Sequence, residues 1–234
     1  MGEHEHRNDD APASATTPGA GTDMDADMQR DWPLRIGAEQ WSALQTAHAT
    51  PARAYHHFGH VREVLRHYAD VAAGPGWRQP AEVLLAVLYH DAIYQPGRRD
   101  NEARSAQLAR EHIAHWLHGQ VDATRVADLI AMTARHGQID DAALAADPAI
   151  EDARHFLDAD MAILGAAPEQ FDAYHRGIAA EYRGHVPGPL FRLNRRRFLK
   201  ALVGRERIFL SEFFHHRYDV QARNNLRRAI TEKR

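Results

Sequence analysis

"LLAVLYHDAIYQ", residues 84–95, is the most apolar helix candidate of the chain, yet His90 and Asp91 stand side by side inside it. Aspartate is almost never fully buried without a partner, so this placement needs a cause. Pro80 suits a helix first turn, and the run behind it predicts a largely buried helix over 80–94.

The same helical period extends outward in both directions. In Tyr55–Ala72, residues Phe58, Val61, Leu65, Tyr68 and Ala72 recur at three- and four-residue steps and so share one face. Asp100 is the expected N-cap of a helix over 101–118, and Asp122 caps another that stops before Gly137. Further helices are predicted near 148–164, 168–184, 189–203, 206–215 and 219–231. No segment alternates apolar and polar residues with β-branched enrichment, so the expected fold is all-α, a single helical bundle over 31–234. Residues 1–30 are rich in Ala, Ser, Thr, Gly and Asp with almost no large apolar side chain. They are expected to be a disordered tail, because they bury too little to offset ordering.

Composition removes several function classes. With no cysteine, disulfides, thiolate metal sites and cysteine nucleophiles are excluded. The net charge of −3 implies no general affinity for nucleic acid or an anionic membrane. The opening MGEHEHRNDD is polar and acidic, unlike a secretory or mitochondrial signal, and no apolar run approaches the roughly 20 residues of a membrane span. A soluble cytoplasmic protein is the expectation. The charge is nonetheless uneven: from Arg176 to Arg234 fifteen Lys/Arg face five Asp/Glu, including "RLNRRRFLK". These arginines alternate with Phe191, Leu193, Phe198 and Leu199, the pattern of amphipathic helices with a solvated or phosphate-facing wall. Nucleic acid is therefore not the expected partner.

Three segments carry chemistry. "AYHHFGHV" places His56 and His60 four residues apart, on one face if the segment is helical, while His57 points about 100° away. With 17 histidines in the chain, such a pair is a weak metal signal by itself. His90-Asp91 is stronger. A buried ion pair would explain it, but an apolar substitute would often be no worse. A bound cation accounts for both residues, since neutral imidazole and carboxylate are ligands that divalent ions accept. In "FLDADMAILG", Asp158 and Asp160 diverge on a helix end, so one aims at a site and the other is a cap or an outer acceptor.

His60, then His90-Asp91, then Asp160 resembles the H…HD…D pattern of the HD-domain metal-dependent phosphohydrolases. "GHVREVL" is similar to the helix that brings the first histidine, with Val61 and Val64 packing inward. "LYHDAIY" resembles the helix that names the family, and "DADMAILG" its closing segment. The longer stretches "RAYHHFGHV", "YHDAIYQPGRRDNEARSA", "FLDADMAILG", "EYRGHVPGPLF" and "ARNNL" resemble one bacterial branch of predicted HD phosphohydrolases. The likeness covers about residues 31–231, and it departs at His57, where the branch more often has asparagine.

The resemblance implies an HD-type all-α fold with His60, His90, Asp91 and Asp160 as metal ligands. Asp160 is chosen over Asp158 because the second aspartate precedes the apolar residue in the family pattern. His136 in "MTARHG" sits where some HD proteins place a histidine for a second metal, although a histidine at a helix C-terminus also suits the macrodipole. His56 and Asp158 are further candidates for orienting the ligands or holding a second ion.

Two His and two Asp leave open positions on a divalent ion for water and a phosphate oxygen. Mn, Fe, Ni, Co, Mg and Zn are not distinguished by this set. Asp91 is also placed to orient water, and the resemblance favours Glu102 as a second catalytic group. In "GRRDNEARSA", Arg98 and Arg99 suit phosphate oxygens, while Asn101 and Ser105 suit a substrate or the ligands' surroundings. The expected activity is hydrolysis of a phosphorylated small molecule, a nucleotide or related phosphomonoester. The alternative is a regulatory module of the same fold that binds metal or nucleotide without turnover, and an oxygenase on the same ligands is a third reading. Substrate identity, metal identity and oligomeric state are not legible.

Overall fold

The computed structural model describes residues 29–139, 144, 147 and 149–231. The chain divides at Arg35–Ile36 into two compact units, five residues beyond the expected boundary. Apart from residues 29 and 30, the expected disordered tail lies outside the described residues.

From Ile36 onward the described residues form nine α-helices and one 3-10 turn, with no strand among them. They are α1 (Ala38–Ala49), α2 (Phe58–Ala73), α3 (Pro80–Tyr89), α4 (Asn101–Trp116), α5 (Ala123–Thr133), α6 (Ile150–Met161), the 3-10 turn Ala162–Gly165, α7 (Pro168–Glu181), α8 (Gly188–Val203) and α9 (Glu212–Thr231). This is the expected all-α bundle. No helix among the described residues is long and apolar enough to cross a membrane.

The centre of the bundle is α3, whose residues Val83–Tyr89 are all buried. A helix apolar on every side must be surrounded, and α2, α4, α5 and α6 pack around it. Pro80 begins it, as expected, but it ends at Tyr89 rather than at residue 94. His90 and Asp91 therefore lie just past the helix, not within it. A helix C-terminus leaves four carbonyls without intrahelical partners, and in the core each needs a donor. Here the Ala86 carbonyl accepts from His90 N–H (2.9 Å) and the Tyr89 carbonyl from Ala92 N–H (2.9 Å). His90 Nδ1 donates to the Val87 carbonyl (2.9 Å), and His48 Nε2, on α1, donates to that of Leu88 (3.0 Å).

Other helix ends follow local chemistry. Asp122 caps α5 by accepting from Thr124 and Arg125 N–H, as expected. The chain leaves that helix before Gly137, whose φ of +72° suits glycine and where a Cβ would lie 2.8 Å from the Leu202 side chain. Asp100 precedes α4 but makes no side-chain cap, since its carboxylate is taken by Arg98. The two helices expected over 206–215 and 219–231 are one, α9, because nothing between residues 215 and 219 breaks the period. Before it, residues 205–211 form an irregular loop pinned to α6 by Asp158.

Candidate metal centre

Three elements deliver the central residues. His60 comes from the first turn of α2, His90 and Asp91 from the end of α3, and Asp160 from the last turn of α6. His60 and His90 are buried, at 4% and 1% exposure, and Asp91 is partly buried. Each of these three offers a ligand atom, and the atoms all lie within 4.8 Å of one another, forming a group that could hold a metal ion. The two Nε2 atoms face each other at 3.2 Å, and Asp91 Oδ2 lies 3.3 Å from that of His90 and 3.6 Å from that of His60. Asp160 Oδ1 approaches the same pair at 2.9 Å from His60 and 3.4 Å from His90.

The donor chemistry fits a cation. His90 Nδ1 donates to the Val87 carbonyl, which leaves its Nε2 as a lone pair in the neutral ring. His60 Nδ1 lies 3.1 Å from the Tyr55 hydroxyl, the usual way of orienting a ligating imidazole through its other nitrogen. Two lone pairs at 3.2 Å repel unless positive charge sits between them. Burial alone would keep His90 neutral, but the carboxylates of Asp91 and Asp160 outweigh it and hold the imidazole well above its usual range. Burial likewise pushes Asp91 and Asp160 up, and the surrounding histidines more than reverse this, holding both well below the usual carboxylate range. The pocket is built to concentrate positive charge.

His136, in the turn after α5, reaches the site through Asp160, with its Nε2 2.6 Å from Oδ2. Asp160 thus spans the His60–His90 pair on one oxygen and His136 on the other. His56 lines the same pocket, but not by the expected route. It precedes α2, so the one-face argument does not apply to it. Glu181 positions it instead, accepting from Tyr55 N–H (2.7 Å) and His56 N–H (2.9 Å) and pairing with His56 Nδ1 at 2.6 Å. Burial pushes Glu181 up, yet the His56 hydrogen bond and charge prevail and keep it below the usual carboxylate range. The His56 ring stacks on Tyr94 at 4.0 Å between centroids. His57 is the N-cap of α2, accepting from Gly59 N–H.

Several candidates are not brought to the pocket. Asp158 turns away and accepts from Leu210 N–H (2.8 Å), Ser211 N–H (2.7 Å) and Ser211 Oγ (2.7 Å), so it is an anchor for the loop before α9 rather than a neighbour of the ligands. Arg98 and Arg99 are exposed, and Arg98 is spent on Asp100. Asn101 and Ser105 are buried, but they bond the backbone of Gln95 and Ile93 respectively and brace the segment after the ligands. Glu102 does line the pocket, with Thr133, Tyr174 and Phe198.

Sequence reasoning passed over Arg53. Its guanidinium donates to four carbonyls: Nη1 to His56 (2.9 Å) and Asp91 (2.5 Å), Nη2 to Ala47 (2.9 Å) and Ala92 (2.9 Å). One side chain thereby ties α1, the approach to α2 and the His90-Asp91 turn together. Its only sequence signal was its place beside the histidine cluster. Glu181, 125 residues from His56, had none. No family model, curated protein or solved structure matches the chain.

Proposed function

We propose that the protein is a metal-dependent phosphohydrolase of the HD type, acting on a phosphorylated small molecule. The observation that carries this reading is the meeting of His60, His90 and Asp91, from two separate segments, within 4.8 Å in a buried, strongly polarised pocket. His60, His90, Asp91 and Asp160 would hold the ion. A divalent cation, when bound, supplies charge for the phosphoryl oxygens and lowers the pKa of water.

Hydrolysis adds a water oxygen to phosphorus, breaks the bond to the leaving oxygen, and moves one proton from water and one to the leaving group. Asp91 is placed to orient the water. His56, held through Nδ1 by Glu181, lines the pocket where a proton must reach the leaving oxygen. The pocket is about 150 Å³, room for a phosphoryl group and a few waters at ~30 Å³ each.

The test is elemental analysis of the purified protein, then chelation and a screen of phosphomonoesters with Mn, Fe, Ni, Co, Mg or Zn restored. Metal-dependent turnover supports the proposal. Stoichiometric metal without turnover on any phosphate would leave the regulatory binding module, and absence of metal binding would remove both.

A further inference from the structure

Most arginines of this protein outside the site are paired: Arg98 with Asp100, Arg125 with Asp147, Arg207 with Glu212, Arg223 with Asp219 and Arg228 with Asp172. Five are different. Arg176 on α7, Arg183 in the turn beyond it, and Arg192, Arg195 and Arg196 on α8 all border one groove of about 1130 Å³, and none makes a salt bridge among the described residues. No Asp or Glu is among the described residues lining it. The rest of the lining is largely apolar, with Val186, Phe191 and Leu199 from the α7–α8 region and Ile230 near the end of α9.

Arg195 is the most informative. Its guanidinium carbon lies 5.0 Å from the Tyr174 ring centre and 5.4 Å from that of Phe198, so the stem is packed against aromatic faces. Its Nε and Nη2 are buried with no hydrogen-bond partner. A buried cationic donor left unpaired is costly, and so are like charges gathered at one groove in a chain of net charge −3. An anion in the groove relieves both.

The chemistry of the ligand follows from the lining. Small-molecule sites are typically ~300–1,000 Å³, mainly apolar, with a few converging polar groups, and this groove is of that kind. A free phosphate would leave Phe191 and Leu199 uncovered, and a nucleic-acid backbone offers charge but no apolar body. We propose that this groove binds an amphiphilic anion, a carboxylate or phosphate carried on an apolar chain, with the head on Arg195 and its neighbours and the chain along the floor. The site is separate from the metal pocket, with which it shares α7 and α8 as a wall: Tyr174 and Phe198 line the metal pocket on one side, and Arg195 lines the groove on the other.

The test is calorimetric titration of the full chain, in chelator, with decyl phosphate and decanoate below their micellar concentrations. One-to-one binding of both is expected, at least tenfold tighter than inorganic phosphate or decanol. The double variant Arg192→Glu/Arg196→Glu, at exposed positions, and Arg195→Gln should each weaken it at least tenfold, with circular dichroism confirming the fold. Asp91→Asn should leave it unchanged, which separates this site from the metal reading. Equal affinity for decanol or for inorganic phosphate overturns the proposal, as does indifference to the arginine variants. So does loss of binding in Asp91→Asn, or displacement of decyl phosphate by a short RNA duplex with the same arginine dependence.

Discussion

Replacing Arg53 with methionine keeps most of the apolar stem and removes the five donors of the guanidinium. Four carbonyl oxygens, those of Ala47, His56, Asp91 and Ala92, then lose their donor. At about 1 kcal/mol for each partly buried carbonyl left unpaired, the expected destabilisation is about 3–4 kcal/mol. For a chain of this size that is a fall in Tm of roughly 6–14 °C. Nη1 bonds the backbone of both His56 and Asp91, so the loss also frees the two segments that frame the site, and metal affinity should fall by at least tenfold. Arg53→Lys keeps the charge but offers a compact ammonium in place of a planar fork, so it should recover only part of the stability. Thermal and urea melts, with metal titration of each variant, measure both effects. If Arg53→Met melts within about 2 °C of wild type and binds metal as tightly, the clasp does not organise the site and the reasoning fails.

Asp91→Asn retains shape and a coordinating oxygen but removes the charge that meets the ion. It should keep a wild-type circular dichroism spectrum while metal binding and hydrolysis are nearly abolished, and full activity in a folded variant would return His90-Asp91 to a merely structural pair. Asp158→Ala removes the acceptor of three donors in the loop before α9 and should cost about 3 kcal/mol in denaturant melts, with turnover per folded molecule preserved. Turnover lost in step with Asp160→Ala would instead place Asp158 in the chemistry. His48 is driven down by burial from 6.5 to about 4, against the pull of the Leu88 carbonyl. Between those values the unfolded chain takes up a proton that the folded ring refuses, so stability is full above pH 6.5 and falls towards pH 4, by about 3 kcal/mol for this residue. His48→Gln can keep a donor for Leu88 without titrating, so its stability should decline less steeply across that window; parallel curves would remove His48 as the cause.

The all-helical class was legible because the apolar period is local: Val61, Leu65 and Tyr68 recur on one face of α2, and the unbroken run of α3 announces a helix buried on every side. The polar interruptions at His60, His90-Asp91 and Asp160 were legible for a similar reason, since a charged or imidazole group in an apolar segment is unfavourable unless something balances it. Where α3 stops was not. Its end depends on donors for four carbonyls, one of them from His48, forty residues away, and no local pattern contains that. The same holds for His56, placed by Glu181 and not by helical spacing, and for Asp158, whose carboxylate meets a loop some fifty residues later instead of the ligands two residues away. Arg98 and Arg99 read as phosphate groups from proximity in sequence, yet they lie in water, while Arg195, a hundred residues on, packs against the wall of the pocket. Sequence alone determines which groups are too polar for their surroundings. Which of them meet, and which are spent on backbone hydrogen bonds elsewhere, is decided by long-range packing, because hydrogen bonds and Coulomb interactions act over a few ångströms of space and are indifferent to separation along the chain.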